Sequence, residues 1–324
     1  MRTLITGGAG FIGSHLTERL LEAGDEVTII DDLSTGRCDN VEPSLKHERC
    51  RIIINSIRDE ALMDRLVEDC DRVFHLAAAV GVNLIVDKPV HTIETNIHGS
   101  EVVLSAAAKY RRKVLIASTS EVYGKSTQIP FREDDDVVYG NTTLRRWSYA
   151  VSKAVDEFLG LAYHNERGLP VVLVRLFNTV GPRQTGKYGM VIPRFVDAAL
   201  HGRPLQVYGD GEQSRCFGDV ADVVGAMIGL MNEPKAVGQL FNIGNDQPIT
   251  IRELAERVIA LTGSKSKIES LSYDEAYGPG FDDMRARVPC LDKIKATIGY
   301  EPTYSLDDIL GRVIDQRKSE MGKA

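Results

Sequence analysis

Met1-Arg-Thr-Leu-Ile-Thr-Gly-Gly-Ala-Gly-Phe-Ile-Gly13 opens the chain and decides its fold. The apolar run before the glycines predicts a buried parallel strand, and leucines at helical spacing after Gly13 predict a helix. The glycines let the backbone turn tightly and approach a pair of phosphates at the helix N-terminus. A second strand over 26–30 ends at Asp31 and Asp32, where a carboxylate binds ribose hydroxyls and repels a 2′-phosphate. The sequence therefore predicts a dinucleotide site that takes NAD rather than NADP.

The composition indicates an ordinary soluble globular protein of one large or two modest domains. The chain has 324 residues, of which 43% are apolar and 26% are charged. No apolar run approaches the ~20 residues that span a bilayer, and the N-terminus enters a strand directly, so we expect no membrane contact and no signal peptide. Five cysteines without Cys-x-x-Cys spacing favour reduced thiols in a cytoplasmic protein, with neither disulfides nor a metal site. The net charge of −7 argues against nucleic acid as a partner, and an anionic substrate would need a local cluster of arginines.

Strand and helix signals alternate through the first half, which predicts an α/β fold with a Rossmann-type doubly wound parallel sheet. Beyond Gly181-Pro182 the elements become shorter and the loops richer in glycine and proline. We expect an NAD-binding domain over 1–180, to which 219–245 returns, and a smaller C-terminal α/β substrate domain over 181–324. The further strands are predicted at 51–54, 72–77, 113–118 and 171–176, and the further helices at 59–69, about 92–110 and 147–167.

A second motif, Tyr149-Ala-Val-Ser-Lys153, completes a pattern with Phe74-His-Leu-Ala-Ala78 and Ser118-Thr-Ser-Glu-Val-Tyr-Gly124. With the glycine turn, these motifs resemble the extended short-chain dehydrogenase/reductase superfamily, specifically its nucleotide-sugar epimerases, dehydratases and decarboxylases. The resemblance covers nearly the whole chain. It implies NAD as cofactor, a UDP-sugar as substrate, and a homodimer formed by the helices near 92–110 and 148–167. The apolar stripes of those helices could equally face the protomer's own sheet; they are Val102, Val103, Ala106, Phe158, Leu159 and Ala162.

The Tyr149 and Lys153 pair predicts a phenolate base. A phenol has a pKa of about 10, so half ionisation at neutral pH requires a shift of about 3 units, or roughly 4 kcal/mol. One ammonium about 4 Å away supplies about 4 kcal/mol at an effective dielectric constant near 20. Lys153 follows Tyr149 by one helical turn and is expected to be that cation. The alternative is a surface tyrosine and lysine that happen to be four residues apart.

The resemblance also implies roles for individual residues. Thr119 would hydrogen-bond the reacting oxygen, or else only cap the next turn, and Asn96 would lie near the nicotinamide or be structural. The expected cofactor-binding residues are Gly7, Gly10, Phe11, Ile12, Gly13, Asp31, Asp32, Ser34, Thr35, Gly36, Ser56, Ile57, Leu76, Ala77, Ala78, Asn96, Ser118, Tyr149 and Lys153. The expected substrate-binding residues are Thr119, Ser120, Asn178, Arg183, Val207, Tyr208, Arg215 and Arg285. Among these, Arg215 and Arg285 match diphosphate-binding arginines and Val207 and Tyr208 would flank the uracil, whereas Arg183 is either a substrate contact or the partner of an acid.

The motif Ser120-Glu121 bears on the reaction. The 4,6-dehydratases carry Asp-Glu at this position, and Ser120 cannot protonate a leaving hydroxyl as that aspartate does. UDP-glucuronate decarboxylases carry Ser-Glu, but they have Tyr-Asp-Glu-Gly-Lys where this chain reads Tyr149-Ala-Val-Ser-Lys153. The leading hypothesis is a C4 epimerase of UDP-glucose or UDP-glucuronate that works through a 4-keto sugar.

Two alternatives to the epimerase remain. One is a UDP-glucuronate decarboxylase (UDP-xylose synthase), in which Glu121 becomes catalytic rather than a residue that fixes its loop. The other is a catalytically idle NAD-binding regulator, which predicts the loss of Tyr149, Lys153 or Thr119. None of the three is lost.

Overall fold

A central parallel sheet organises the protein. The computed structural model describes residues 1–81, 87–186, 189–277 and 284–322, apart from the side chain of residue 274. In chain order the strands are β1 Arg2–Thr6, β2 Glu26–Asp31, β3 Cys50–Ile54, β4 Arg72–His75, β5 Lys113–Thr119, β6 Val171–Leu176, β7 Thr179–Val180, β8 Leu205–Tyr208, β9 Ser214–Cys216, β10 Gly218–Asp219, β11 Gln239–Ile243, β12 Pro248–Thr250, β13 Ile268–Leu271 and β14 Ala286–Arg287. Seven of them pair in the order β3-β2-β1-β4-β5-β6-β11, and all six pairings are parallel.

Helices cover both faces of this sheet, which confirms the predicted doubly wound α/β fold. They are α1 Phe11–Glu22, α2 Glu42–Leu45, α3 Glu60–Glu68, α4 Pro89–Tyr110, α5 Trp147–Arg167, α6 Val191–Leu200, α7 Val220–Asn232, α8 Ile251–Thr262, α9 Tyr273–Tyr277, α10 Asp292–Ile298 and α11 Leu306–Met321. Residues of α1, α7 and α10 form one apolar core with the sheet, whereas residues of α3, α4 and α5 pack on its other face. The segment 219–245 contains α7, on the α1 face, and β11, which pairs with β6.

The elements after residue 180 build a third apolar core from α6, α8, α11 and β8. Small sheets accompany it: β9 lies between β12 and β14, and β8 pairs with β13. Because this layer stands apart from the two cores of the central sheet, it supplies a second wall for a cleft. No helix in the described part of the chain is long and apolar enough to cross a membrane.

Two element ends differ from the sequence prediction by two or more residues. The strand expected over 72–77 ends at His75, because Leu76 and Ala77 leave the sheet while their amides donate to the backbone oxygen and hydroxyl of Thr6. The helix expected from about residue 92 begins at Pro89, whose fixed φ suits a first helical turn. Both changes affect the rim of the same cleft, where polar side chains gather.

Candidate active site

A cavity of about 1070 Å³ lies at the carboxyl ends of the central strands. Residues that follow β1, β2, β4, β5 and β6 line one side, and residues of α6, β8 and β9 line the other. The sheet reverses its strand order between β1 and β4, which is where open α/β sheets bind ligands. The volume exceeds the range of about 300–1,000 Å³ typical for one drug-sized ligand. The cavity therefore accommodates an extended ligand or two ligands end to end.

Most of the predicted site residues line this cavity. They are Gly7, Gly10, Phe11, Ile12, Gly13, Asp31, Asp32, Ser34, Thr35, Ile57, Leu76, Ala77, Ala78, Ser118, Thr119, Ser120, Glu121, Tyr149, Asn178, Arg183, Tyr208 and Arg215. Six predicted residues do not: Gly36, Ser56, Asn96, Lys153, Val207 and Arg285.

The glycine turn between β1 and α1 has the form that a pyrophosphate requires. Gly7 has a positive φ of 71°, and a Cβ on Gly13 would lie 2.3 Å from the Gly7 oxygen and 2.6 Å from the Gly8 Cα. Helix α1 has no side-chain cap and no acid in its first turn. Its first amides and its positive dipole end therefore face the cavity ready for an anion.

Asp31 links the glycine turn to the loop after β2. Its Oδ2 accepts a hydrogen bond from the Ala9 amide and its Oδ1 one from the Leu33 amide, both at 2.9 Å. Burial raises the pKa of Asp31, and these amide bonds oppose the rise. Gly36 lies against Asp31, since a Cβ there would come within 2.8 Å of Oδ1. A carboxylate has about four lone-pair sites, so Asp31 can still accept from a ribose hydroxyl, and these residues fit NAD.

Tyr149 lies at the centre of the cavity wall, on the first turn of α5. Thr119, at the end of β5, hydrogen-bonds it, and Glu121 is close enough to act on its charge. Burial and then the Glu121 carboxylate raise the pKa of Tyr149 above its ordinary value, and Asp156 adds to the rise. The hydrogen bond from Thr119 opposes these effects. The expected fall in the pKa of Tyr149 is therefore not what the structure shows.

Burial is the first cause of this difference, and Lys153, the expected counter-charge, is itself paired. Its ammonium is buried and donates to Asp156 Oδ2 at 2.5 Å, and neither side chain lines the cavity. The Tyr-x-x-x-Lys spacing predicts that the two side chains share a helix face, but it does not reveal a carboxylate three residues further along that face.

Glu121 is held between two arginines. Arg146 Nη2 lies 3.2 Å from Glu121 Oε2, and Arg287 Nη1 lies 2.5 Å from Oε1. All three side chains line the cavity near Tyr149, and all are largely buried. Two guanidinium groups therefore lie beside one carboxylate at this end of the cavity. Sequence reasoning missed both arginines, although Arg146 stands only three residues before Tyr149, in the same motif.

The predicted substrate contacts divide into two groups. Arg215 is buried in the cavity wall, the Asn178 amide donates to the Cys216 oxygen at 2.9 Å, and the Tyr208 ring lies under Arg194. By contrast, the Val207 side chain packs in the third apolar core. Arg285 is exposed and pairs with Asp210 at 2.8 Å, and neither residue lines the cavity. Their expected roles at the uracil and the diphosphate stay predictions.

Four other predicted residues have polar partners within the protein itself. Asn96 accepts from the Ala79 amide at 2.8 Å and donates to the Ser152 hydroxyl at 2.9 Å, which fixes the loop after β4 against α5. The Ser118 hydroxyl donates to Glu157. Ser56 accepts from the Arg58 amide, and Asn55 rather than Ser56 lines the cavity. Arg183 forms a two-point ion pair with Glu18 at 2.6 and 2.7 Å, which matches the acid-partner alternative.

The family described as GDP-mannose 4,6-dehydratase matches residues 4–313. The chain belongs to this family. The match confirms the resemblance to the nucleotide-sugar epimerases and decarboxylases of the extended short-chain dehydrogenase/reductase superfamily. The chain is thus an enzyme of the nucleotide-sugar-modifying class. Family membership alone does not select one reaction.

Similar sequences in the family are decarboxylases. A UDP-N-acetyl-α-D-glucosaminuronate decarboxylase of Bacillus cytotoxicus is 46% identical over 318 residues, which cover 97% of this chain and 96% of the relative. UDP-glucuronic acid decarboxylase 1 of Xenopus tropicalis is 36% identical over 322 residues, which cover 99% of this chain and 73% of the relative.

Similar solved structures include epimerases. The UDP-glucuronic acid 4-epimerase of Bacillus cereus, solved with UDP-glucuronic acid and NAD, has a TM-score of 0.89 at 28% identity and covers 99% of this chain and 100% of its own. The UDP-glucose 4-epimerase of Thermotoga maritima, solved with UDP-glucose, has a TM-score of 0.89 at 30% identity with the same coverage. Neighbours of this family solved with NAD support the predicted cofactor. In the described ranges, no group of three or more His, Cys, Asp or Glu side chains could hold a metal ion.

Proposed function

We propose that this chain decarboxylates a UDP-hexuronic acid through a 4-keto sugar. The observation that carries the proposal is the position of Glu121 between Arg146 and Arg287 in the cavity near Tyr149. A hexose presents a neutral hydroxymethyl group at C6, which gains little from two nearby guanidinium groups. A hexuronic acid presents a carboxylate there, which arginine binds through two donors.

The residues around Tyr149 serve both the oxidation and the loss of carbon dioxide. NAD, when bound, accepts hydride from C4 and later returns it. Tyr149 takes the O4 proton in the first step, and Thr119 holds the same oxygen. The resulting ketone is β to the C6 carboxylate, so the C5–C6 bond can break with its electrons moving toward O4 while carbon dioxide leaves. A proton then adds to C5.

The raised pKa of Tyr149 opposes the first step, in which the phenolate must accept the O4 proton, and favours the second. Once it has taken that proton, Tyr149 stays protonated. With Thr119 it then donates a hydrogen bond to the negative charge that develops on O4.

Glu121 limits how strongly the arginines hold the carboxylate. If both guanidinium groups bound the carboxylate fully, the ion pairs would stabilise the substrate more than the transition state. These ion pairs are lost as the carboxylate becomes neutral carbon dioxide, so they would slow the reaction. Glu121 competes with the substrate carboxylate for the two guanidinium groups, so it weakens their hold on the substrate. Both arginines can return to Glu121 as the product forms.

The order of candidate substrates follows the relatives. The relative at 46% identity acts on UDP-N-acetylglucosaminuronate, whereas those near 36% act on UDP-glucuronate. We therefore place UDP-N-acetylglucosaminuronate first and UDP-glucuronate second.

Epimerisation at C4 is the second candidate function. Tyr149-Ala-Val-Ser-Lys153 favours it, and so does the structural likeness to a UDP-glucuronic acid 4-epimerase. The same Tyr149 and Thr119 would serve, but the C5–C6 bond would stay intact. The sequence hypothesis that placed epimerisation first thus moves behind decarboxylation. The idle-regulator alternative predicts the loss of Tyr149, Lys153 or Thr119, and the chain keeps all three.

Product analysis in deuterated water tests the assignment. The protein is incubated with each uronic acid in turn and the products are read by NMR. Decarboxylation predicts a UDP-pentose or its N-acetylamino counterpart with one solvent deuterium at C5. A C4-inverted uronic acid that keeps its carboxylate would instead establish the epimerase.

The substrate is expected to lie between the sheet and the layer built after residue 180, in keeping with the two-domain division at about that residue. We also propose a homodimer through α4 and α5, which pack against each other. The dimer contact would not include Val102, Val103 and Ala106, because these side chains pack in the protomer's own core. Four other apolar side chains on these helices are exposed: Val90, Ile93, Val151 and Phe158.

A further inference from the structure

The buried ion pair between Lys153 and Asp156 carries a consequence for Tyr149. Residues 149, 153 and 156 share one face of α5, because steps of four and three residues stay on the same side of a helix. Lys153 is 1% exposed and Asp156 is not exposed at all, and their Nζ and Oδ2 atoms are 2.5 Å apart. Solvent and salt screen a buried charge pair only weakly, so each charge of the pair affects the ionisation of neighbouring groups.

We propose that Asp156 is a positioning residue for Lys153: it fixes the ammonium behind Tyr149 and offsets its positive charge. It thereby sets the pH at which the Tyr149 and Lys153 pair loses its first proton. The inference concerns the base of the proposed function, but its main test does not depend on any substrate.

The direction of the effect follows from charge alone. Removal of one negative charge makes proton loss from the Tyr149 and Lys153 pair easier, whichever of the two keeps the remaining proton. Burial raises the pKa of Asp156 and the ammonium of Lys153 opposes the rise; the 2.5 Å contact between Lys153 Nζ and Asp156 Oδ2 has the geometry of an ion pair. An opposite charge at close range shifts a pKa by about 1–3 units, so the expected change is about 1 unit or more.

The other charges around this pair have partners of their own. Glu121, from the segment after β5, acts on Tyr149 and is neutralised by Arg146 and Arg287. Glu157 is held by Arg175 in a two-point pair. From β4, His75 is kept neutral, with a pKa lowered to about 3 by burial and then by Lys153. From α4, Ser100 contributes only a hydroxyl, so Asp156 is the carboxylate whose removal exposes the ammonium.

Tyrosinate absorbance of the NAD-loaded protein tests the proposal. The chain has eleven tyrosines, so the signal of Tyr149 is obtained by subtracting the titration curve of a Tyr149→Phe protein. The subtraction is made twice, once in the parent background and once in the Asp156→Asn background. Asp156→Asn is expected to move this signal to lower pH by about 1 unit or more. The proposal is overturned if the Tyr149 signal of Asp156→Asn comes at the same pH as that of the parent protein, or at a higher pH. It is also overturned if neither protein shows the signal.

A matched control separates charge from stability. Asp25 is also a buried carboxylate paired with a cation, Arg72 at 2.7 Å, but it lies at the amino ends of the strands. Asp25→Asn is expected to lose stability like Asp156→Asn and to leave the Tyr149 signal in place. A purely structural role for Asp156 would make the two variants behave alike.

Two further measurements complete the test. If Asp156→Asn does not fold, Lys153→Met tests the opposite change in charge. Loss of the cation should move the Tyr149 signal to higher pH. A signal at an unchanged or lower pH would contradict the proposal. If turnover of a UDP-hexuronic acid is found, the acid limb of kcat should move to lower pH in Asp156→Asn. Failure to find turnover would count against the proposed function while the absorbance titration still decides the role of Asp156.

Discussion

Arg287 and Arg285 stand two residues apart, yet only Arg287 lines the cavity. We expect Arg287→Gln to lower kcat/KM for a UDP-hexuronic acid by at least about 10-fold, because a buried charge-assisted contact is worth roughly 1.5–3 kcal/mol. Arg285→Gln is the matched control and should change kcat/KM by less than about 2-fold, since its exposed pair with Asp210 is worth little. Steady-state kinetics on the two variants compare them directly. Equal losses would argue against a carboxylate site at Arg287.

His75 makes stability depend on pH. It is fully buried between Thr6 and Ser100, and burial lowers its pKa to about 3. Below about pH 6.5 the unfolded chain binds a proton at this residue and the folded protein does not. The free energy of unfolding therefore falls as the pH is lowered from 6.5 toward 3. The loss is about 1.4 kcal/mol for each pH unit. The free energy of unfolding, measured with denaturant between pH 6.5 and 5, should change less steeply with pH in His75→Gln, by about this amount. An equal pH dependence in the two proteins would refute the assignment.

Residue patterns predicted the site where a motif fixes both the residue type and its backbone setting. Asp31 and Thr119 line the cavity as expected because each stands at the carboxyl end of a buried strand. Val207 and Arg285 do not line it: the Val207 side chain packs in the third apolar core, and Arg285, just before β14, pairs with Asp210. Asp156 lay beyond the motif, so its effect on Lys153 could not be foreseen.

At the scale of elements, the turn between β1 and α1 has no room for a side chain. Gly13→Ala would force a Cβ against the Gly7 oxygen and Gly8 Cα, so we expect loss of bound NAD and lower stability. Gly225→Ala, in α7, meets nothing within 4 Å and should raise stability by about 0.5–1 kcal/mol, because alanine favours a helix interior. Thermal unfolding and the NAD content of the purified proteins measure both effects. An NAD-replete Gly13→Ala protein would contradict the proposed pyrophosphate cradle.

The central strands were predictable because parallel strands buried on both faces appear as short, continuous apolar runs. The bounds of β5 and β6 differ from the expected ones by at most one residue. The layer after residue 180 could be predicted only as a smaller α/β unit. Its strands have two to four residues and pair with elements distant in sequence, such as β9 with β12 and β14.

At the scale of the whole molecule, the exposed apolar side chains of α4 and α5 bear on assembly. Phe158 is 72% exposed, an unusual setting for a large aromatic ring unless a second chain covers it. We expect Phe158→Glu to convert a dimer to a monomer in light scattering, because dimerisation would bury the new charge. Leu261→Glu, an exposed position on α8, is the control and should leave the mass unchanged. A parent protein that is already monomeric would reject the proposed dimer.

The central claim is that this protein removes the C6 carboxylate of a UDP-hexuronic acid by a base centred on Tyr149. The most direct measurement is release of labelled carbon dioxide from UDP-N-acetylglucosaminuronate or UDP-glucuronate carrying carbon-13 at C6. We predict one carbon dioxide per sugar converted, with the rate reduced at least about 100-fold in Tyr149→Phe and nearly unchanged in Tyr139→Phe, whose ring lies outside the cavity. Conversion of either sugar with the label retained in the product would contradict the claim.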